Sequence, residues 1–380
     1  MNISIRLVRD LPNAAVNLLH KNLPRANGPN YPRSVEDWKR AARAGWVVVA
    51  SRGDEVVGVT LAYPDGRDGL LIGEIAVAEG LRGRGIGREM LQVIGRLARK
   101  RGIDEIYLGA DERAEGLYRR LGWWEYAYVR SIPRGAPLKI NAERGWIVVG
   151  SYKGAQSFFR KPLRPSVEVR RTESEYQILT SSGVASAKTW KAVTDNIGPH
   201  LYELDFVVPF YRQKKGSANC GPVCAKSVLE FFGKPYSVRE LLEHIPVRGG
   251  TWAPWLYKGL TEIGMDVDVW VFNPPREYAH ELKIIQPRRL HHTLLTTKDL
   301  RQLLMEGHLL IVSVNQQDLY GGGVQGHYVV VRGFKGSRFY ITDPTFTSRF
   351  GAHLVDGWRL LRAIYSAKFG GEVIAVRPCD

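Results

Sequence analysis

Cys220 opens a helix-like stretch in Asn219-Cys220-Gly221-Pro222-Val223-Cys224, and a thiol at a helix N-terminus loses its proton more easily than a free one. Gly221 permits a tight entry, and Pro222 suits a first turn, where its missing N–H is not needed. Cys224 follows one turn on, along the same face. With no second cysteine pair to complete a metal site, Cys224 reads as a small buried hydrophobe. A nucleophilic thiol needs a base. Of nine histidines, His327 is placed differently from the rest: it follows Gly321-Gly322-Gly323-Val324-Gln325-Gly326 and begins the strand-like run 328–334. After a turn at Lys335-Gly336-Ser337 the return strand ends at Asp343-Pro344. In such a hairpin the first residue of one strand lies across from the last of the other, so His327 and Asp343 are expected to touch. A carboxylate orienting an imidazole base beside a nucleophile is the logic of a catalytic triad. Gln213, upstream of Cys220, would offer a side-chain N–H to an oxyanion alongside the Cys220 backbone N–H; its alternative is a solvated loop residue.

A second chemistry is written near the other end. The segment Leu81-Arg82-Gly83-Arg84-Gly85-Ile86-Gly87-Arg88 lies between an apolar run containing Glu74-Ile75-Ala76-Val77 and the amphipathic stretch 87–101. Glycines let a backbone approach a phosphate closely, and consecutive N–H groups at a helix N-terminus favour negative charge. The loop therefore suits a pyrophosphate, although its spacing is neither the Rossmann fingerprint nor the Walker loop. Taken alone it also fits a flexible helix-capping turn. Glu74 is the candidate general base for an attacking amine, directly or through water; the competing reading pairs it with one of the neighbouring arginines.

These groups need elements to hold them. Strands are predicted at 3–9, 46–51, 56–63, 70–78, 103–108, 124–131 and 146–152, with helices at 34–44, 87–101 and 114–121. The order is mixed α/β with one prominent strand–glycine loop–helix unit. Residues 164–203 have weak periodicity and read as a linker or small subdomain. Beyond them helices at 220–232, 238–244, 255–263 and 298–305 precede strands at 309–314, 327–334, 338–342 and 373–377, an α+β order.

With Asp111-x-x-Ala114-x-x-Leu117-Tyr118-x-x-Leu121-Gly122-Trp123 and the closing Ser157-Phe158-Phe159-Arg160-Lys161-Pro162-Leu163, the first 163 residues resemble the GNAT acyltransferase superfamily. The resemblance implies a mixed, mostly antiparallel sheet flanked by helices. It also implies acetyl-CoA or another acyl-CoA, its pyrophosphate on residues Arg82 to Arg88 and its pantetheine arm along Ile75-Ala76-Val77. Tyr118 matches the position whose hydroxyl protonates the departing CoA thiolate, its alternative being a buried aromatic with a satisfied hydroxyl. Residues 204–380, through Val208-Pro209-Phe210-Tyr211-Arg212-Gln213, the Cys220 segment, Gly326-His327-Tyr328 and Ile341-Thr342-Asp343-Pro344, resemble the papain-like, bacteriocin-processing cysteine peptidases that cleave leader peptides after double glycine. That resemblance implies a papain-like fold of a helical part plus an antiparallel sheet, with Cys220, His327, Asp343 and Gln213 as its functional positions. Residues 271–297 stand out as an additional insertion.

Size and composition fit this picture. A chain of 380 residues is long for one core, and the expected division is 1–163, 164–203 and 204–380. Hydrophobic content of 44% and charged content of 24% are ordinary for a globular protein. Apolar runs stay at strand length, far below the roughly 20 residues of a membrane helix, and the first ten residues lack a signal-peptide core. Three cysteines make no disulfide framework, which points to a reducing, cytoplasmic setting. The net charge of +16 divides as 27 − 17 over residues 1–163 and 27 − 21 over the remainder. With no finger spacing or basic heptads, that charge argues for a phosphate-bearing cosubstrate more than for nucleic acid. No oligomeric state is specified. The expectation is a bifunctional cytosolic enzyme, a CoA-dependent N-acyltransferase joined to a Cys-His-Asp peptidase or amidase, acting on a peptide or small peptide-like amine. Two alternatives stand beside it. The cysteine domain forms amides as an acyl or peptidyl transferase, or the first domain only binds CoA or substrate.

Overall fold

The computed structural model describes residues 3–22, 34–65, 69–129, 156–180, 183–247, 249–274, 276–324, 326–345, 352–368 and 371–379. Two compact units divide the chain, Met1–Arg164 and Pro165–Asp380. The strand expected at 146–152 falls outside the described residues.

In the first unit, seven strands among the described residues lie in the order Ser4–Val8, Trp46–Arg52, Glu55–Pro64, Gly69–Val77, Glu105–Asp111, Gln156–Pro162, Trp124–Val129. Every neighbouring pair is antiparallel except Gly69–Val77 with Glu105–Asp111, the mixed α/β class expected. Alternation along Trp46–Arg52 feeds two cores. Val48 and Ala50 join the cluster of Met90, Leu91, Ile94 and Ala98, whereas Val47 and Val49 join that of Ala15, Val16, Leu19 and Trp38. Successive strand residues point to opposite faces, so helices Ile86–Lys100 and Asn13–Asn22 cover opposite sides.

Helices Cys220–Phe231, Val238–His244 and Ala253–Glu262 precede most of the second unit's sheet, an α+β order. Its central strands lie in the order Glu203–Val207, His327–Lys335, Leu309–Val314, Glu372–Pro378, Met265–Val271. Leu309–Val314 and His327–Lys335 are buried along their whole lengths, which is why both show continuous apolar runs instead of alternation.

Residues 164–203, expected as a linker or small subdomain, are built into this sheet. Ser166–Arg171 pairs with Glu203–Val207, and Tyr176–Thr180 and Gly183–Ala187 extend the edge. The following Trp190 packs its ring 5.4 Å from that of Phe206 and 5.0 Å from that of Phe232. Their periodicity is weak because Gly183–Ala187 is largely exposed, as edge strands commonly are. Much of the 271–297 insertion also seats on the sheet. Leu290 and His291 pair with Val269 and Trp270, and Arg289 bridges Asp266 at 2.5 Å and Asp268 at 2.9 Å.

Between Val331 and Gly333 the His327–Lys335 strand carries a bulge. Gly333 faces Asp205 across the sheet, and a Cβ there would stand 2.1 Å from the Leu204 carbonyl oxygen. Backbone cannot yield as a side-chain tip can. Gly333→Ala is therefore expected to destabilise by about 3 kcal/mol, read as a fall in melting temperature. Gly322→Ala, with nothing within 4 Å of its Cβ, should leave the melting temperature unchanged. Equal melting of both variants would contradict this packing.

Candidate active sites

Cys220 is the first residue of its helix, is 8% exposed, and has no side-chain cap competing at the helix start. Gly221 is required there by close approach: a Cβ would lie 2.5 Å from Cγ2 of Thr251. One turn on, Cys224 is 1% exposed and donates its thiol to the Tyr328 carbonyl at 3.3 Å. Burial pushes that thiol's pKa well up, so Cys224 stays protonated and ties the helix to the strand bearing His327.

His327, 2% exposed, meets Asp343 with Nε2 2.8 Å from Oδ1. That leaves Nδ1 for the thiol, and the ring and Cys220 interact directly. The hairpin brings the pair together diagonally. The bulge sets Val330 opposite Thr342, so the register continued puts Asp343 opposite Val329, one diagonal step from His327. This differs from the directly opposed pair expected, because the nine-residue strand His327–Lys335 outruns its five-residue return Arg338–Thr342; the bulge at Arg332 shortens the offset from three residues to two. Burial opposes charge on the imidazole, but the bond to Asp343 and the contact with Cys220 outweigh it, and the ring's pKa rises to about 9. For Asp343, burial likewise opposes charge, yet the bond from His327 and those from Thr345 bring its pKa down to about 2.

Asp343 is held on every side. Oδ1 also accepts from the Thr345 amide and hydroxyl, each at 2.8 Å. Oδ2 accepts from the Tyr320 hydroxyl at 2.9 Å and from Gln316 Nε2 at 3.5 Å. Gln213 sits nearby, its backbone N–H bonded to the Pro344 carbonyl at 2.9 Å. One side-chain N–H of Gln213 donates to Ser217 O, and its Oε1 is buried without a partner among the described residues. Gln213, Cys220 and His327 all line one cavity of about 950 Å³.

The first unit places its candidates around a splay in the sheet. Gly69 to Ile72 pair with Glu105 to Leu108, and the pairing stops there, so among the described residues Gly73 to Val77 carry no ladder on that side. Between Leu61 and Ala62 the other neighbour's register slips by one, a bulge that re-aims Glu74. Among the described residues Glu74 pairs with no arginine; its bonded partner is the Tyr63 hydroxyl at 3.1 Å. Burial raises its carboxyl pKa to about 7, against the lowering effect of Tyr63. Ile75, Ala76 and Val77 continue the open half.

Beyond the open half, Arg82 is tied by Nε to Val77 O at 3.3 Å and by Nη2 to Asn22 Oδ1 at 2.6 Å. Gly83 and Gly85 have φ of 76° and 85°, left-handed values that favour glycine. Helix Ile86–Lys100 starts with no side-chain cap, leaving its first N–H groups open to an anion. Ile86 is buried, Gly87 lies beneath Ile75 and Val77, and Arg84 and Arg88 are exposed beside the loop. Tyr118 is 3% exposed, its ring 5.6 Å from those of both Trp123 and Phe159.

Residues 13–123 match the acetyltransferase (GNAT) family, and residues 206–362 match the Peptidase_C39-like family. The chain joins a GNAT domain to a C39-like peptidase domain. Among solved structures, the GNAT domain is similar to the IAA acetyltransferase from Bacillus cereus ATCC 14579. The two are 21% identical over 42% of this chain and 99% of that one, with a TM-score of 0.32. A GNAT family acetyltransferase from Elizabethkingia anophelis with acetyl-CoA bound is 20% identical over 42% and 97%, at 0.31. The C39-like domain is similar to a double-glycine motif protease from an AMS/PCAT transporter in complex with its leader peptide. That pair is 18% identical over 45% and 92%, at 0.31. No curated protein matches the chain. Among the described residues no helix is long and apolar enough to cross a membrane.

Sequence reasoning did not find Tyr320, Gln316 and Thr345 around Asp343, nor Tyr63 beside Glu74. Tyr320 and Gln316 lie on the short helix Gln316–Tyr320, capped by Asn315, whose side chain accepts from the Gln317 amide. An Asn at the end of an apolar strand is an available N-cap signal. Gly73, next to Glu74 in a strand, is likewise a readable mark of a bulge.

Proposed function

We propose that the chain is a bifunctional enzyme in which the C39-like domain breaks or exchanges an amide through Cys220 and the GNAT domain moves an acyl group from acyl-CoA to an amine. The observation that carries the first half is the buried His327–Asp343 bond at 2.8 Å on a cavity shared with Cys220. The thiolate attacks the amide carbonyl carbon, forming a C–S bond. The Cys220 backbone N–H and the second side-chain N–H of Gln213 face the developing oxyanion. The imidazolium then gives its proton to the leaving amine as the C–N bond breaks. Water resolves the S-acyl enzyme in a peptidase. A peptide or peptide-like amine is the substrate class, and a reducing cytoplasmic setting suits three free cysteines.

For the GNAT domain, the residues present fit acyl-CoA. Among the described residues Gly73 to Val77 carry no strand pairing on the splayed side, and the positive-φ glycines with the uncapped helix start suit a diphosphate. Bound acyl-CoA supplies a thioester-activated acyl group. Glu74, with its carboxyl near neutrality, takes the proton from the attacking amine, and Tyr118 is the proposed donor to the leaving sulfur. Acetyl-CoA at 100 times its Kd is expected to stabilise the chain by about 2.7 kcal/mol, read as a rise in melting temperature. Gly85→Asp, adding a Cβ and a negative charge at a left-handed position, should remove that rise. Binding without acetylation of any amine in a panel would reduce the domain to a recognition module.

A further inference from the structure

The cavity in front of Cys220 has an uneven charge. Arg212, Lys214, Lys215 and Lys368 line it, and among the described residues no Asp or Glu does. Residues 164–380 as a whole carry 27 basic and 21 acidic side chains, so a wall drawn from the average would hold nearly as many acids as bases. Asp343 does not offset the excess, being fully buried behind the imidazole and already held by five hydrogen bonds. Arg212, Lys214 and Lys215 are exposed, and none forms an ion pair with a described residue. All three sit on the loop that also carries Gln213, which is pinned to Pro344 beside Asp343. Their positions are thereby tied to the reacting centre, whatever enters the cavity.

We infer that the substrate of Cys220 is an acidic peptide, whose Asp or Glu side chains beside the reacting amide are received by Arg212, Lys214 and Lys215. This rests on the Cys220 reading above and adds the substrate's character to it. Cations around a cavity focus the field within it and attract carboxylates over a Debye length, so both binding strength and its salt dependence carry the signature. Lysine and arginine on one short loop suit several carboxylates spaced along an extended segment, because each added contact is individually modest.

The test uses the full-length chain with Cys220→Ala, a fluorescein-labelled Glu-rich peptide, and the same peptide with Gln for every Glu. Fluorescence anisotropy is expected to show the Glu peptide binding about tenfold more tightly or better. That preference should shrink as salt rises from about 0.05 M to about 0.5 M. It should vanish in Lys214→Gln/Lys215→Gln and persist in Lys188→Gln/Lys298→Gln, an equal charge change at exposed lysines off the cavity wall. Equal binding of both peptides would overturn the inference. So would a preference that survives the cavity variant, or equally tight binding of a single-stranded oligonucleotide. A separate arm incubates both peptides with the Cys220 chain and follows cleavage by mass spectrometry. Cys220-dependent cleavage that ignores Glu sinks this inference alone. Glu-selective binding with no Cys220-dependent product sinks the reading beneath it.

Discussion

Cys220→Ala is expected to lower amide turnover by about 10⁴-fold or more, and His327→Ala by a similar factor, with the double variant no worse than either. The reason is that the two act as a unit. In the proposed mechanism the thiol is positioned at the helix start, and the imidazole both takes its proton and returns it to the leaving amine. His327 is held for this by Asp343, which the ring's Nε2–H meets at 2.8 Å. Asp343→Asn should retain the contact but invert its polarity, and a loss of about 10²–10⁴ is expected. Cys224→Ser is the control, because its sulfur is buried against the Tyr328 carbonyl; turnover there should stay within a few-fold of the parent. Product formation from a peptide cleaved by the parent, followed by mass spectrometry, reads all five. Undiminished cleavage by Cys220→Ala would transfer the chemistry to another residue.

Glu74→Gln should reduce acyl transfer to an amine by about 10²–10⁴ and also alter its pH dependence. Burial raises the Glu74 carboxyl pKa to about 7, and a base works only when ionised. Parent activity attributable to Glu74 is therefore present above pH 7 and lost as pH falls through it. The substrate amine's own titration is common to parent and variant, so the ratio of their kcat/KM values isolates the carboxylate. That ratio should rise with pH and level off above about 8. A ratio independent of pH would return Glu74 to a structural role. Tyr63→Phe removes the hydroxyl that favours the charged form, and the midpoint should move upward.

Residue types and spacing made the candidate groups legible because the proposed chemistry is local in sequence at both sites. A cysteine before Gly-Pro, a histidine opening a strand, an aspartate closing its return and glycines before a helix each carry their own steric or electronic reason. What escaped was set by tertiary pairing. The strand Gly183–Ala187 is largely exposed, so its pattern hides that it extends a sheet. Met265–Val271 is a different case: it alternates buried and half-buried residues, and its Asp/Val alternation is a readable strand signal passed over beside the insertion. Tyr320 reaches Asp343 from a five-residue helix, too short to leave a period. The direct opposition expected for His327 and Asp343 became a diagonal because His327–Lys335 is longer than its return Arg338–Thr342, and the bulge at Arg332, decided by the neighbouring strand as much as by the bulged one, takes up only one residue of the difference.

The most direct measurement is the rate of Cys220 alkylation by iodoacetamide at one fixed pH of about 7, with the site read by peptide mapping to separate it from exposed Cys379. Beside His327, which Asp343 holds at 2.8 Å, the sulfur should react about tenfold or more faster in the parent than in His327→Ala. Equal rates in the parent and His327→Ala would contradict a sulfur held against that imidazole.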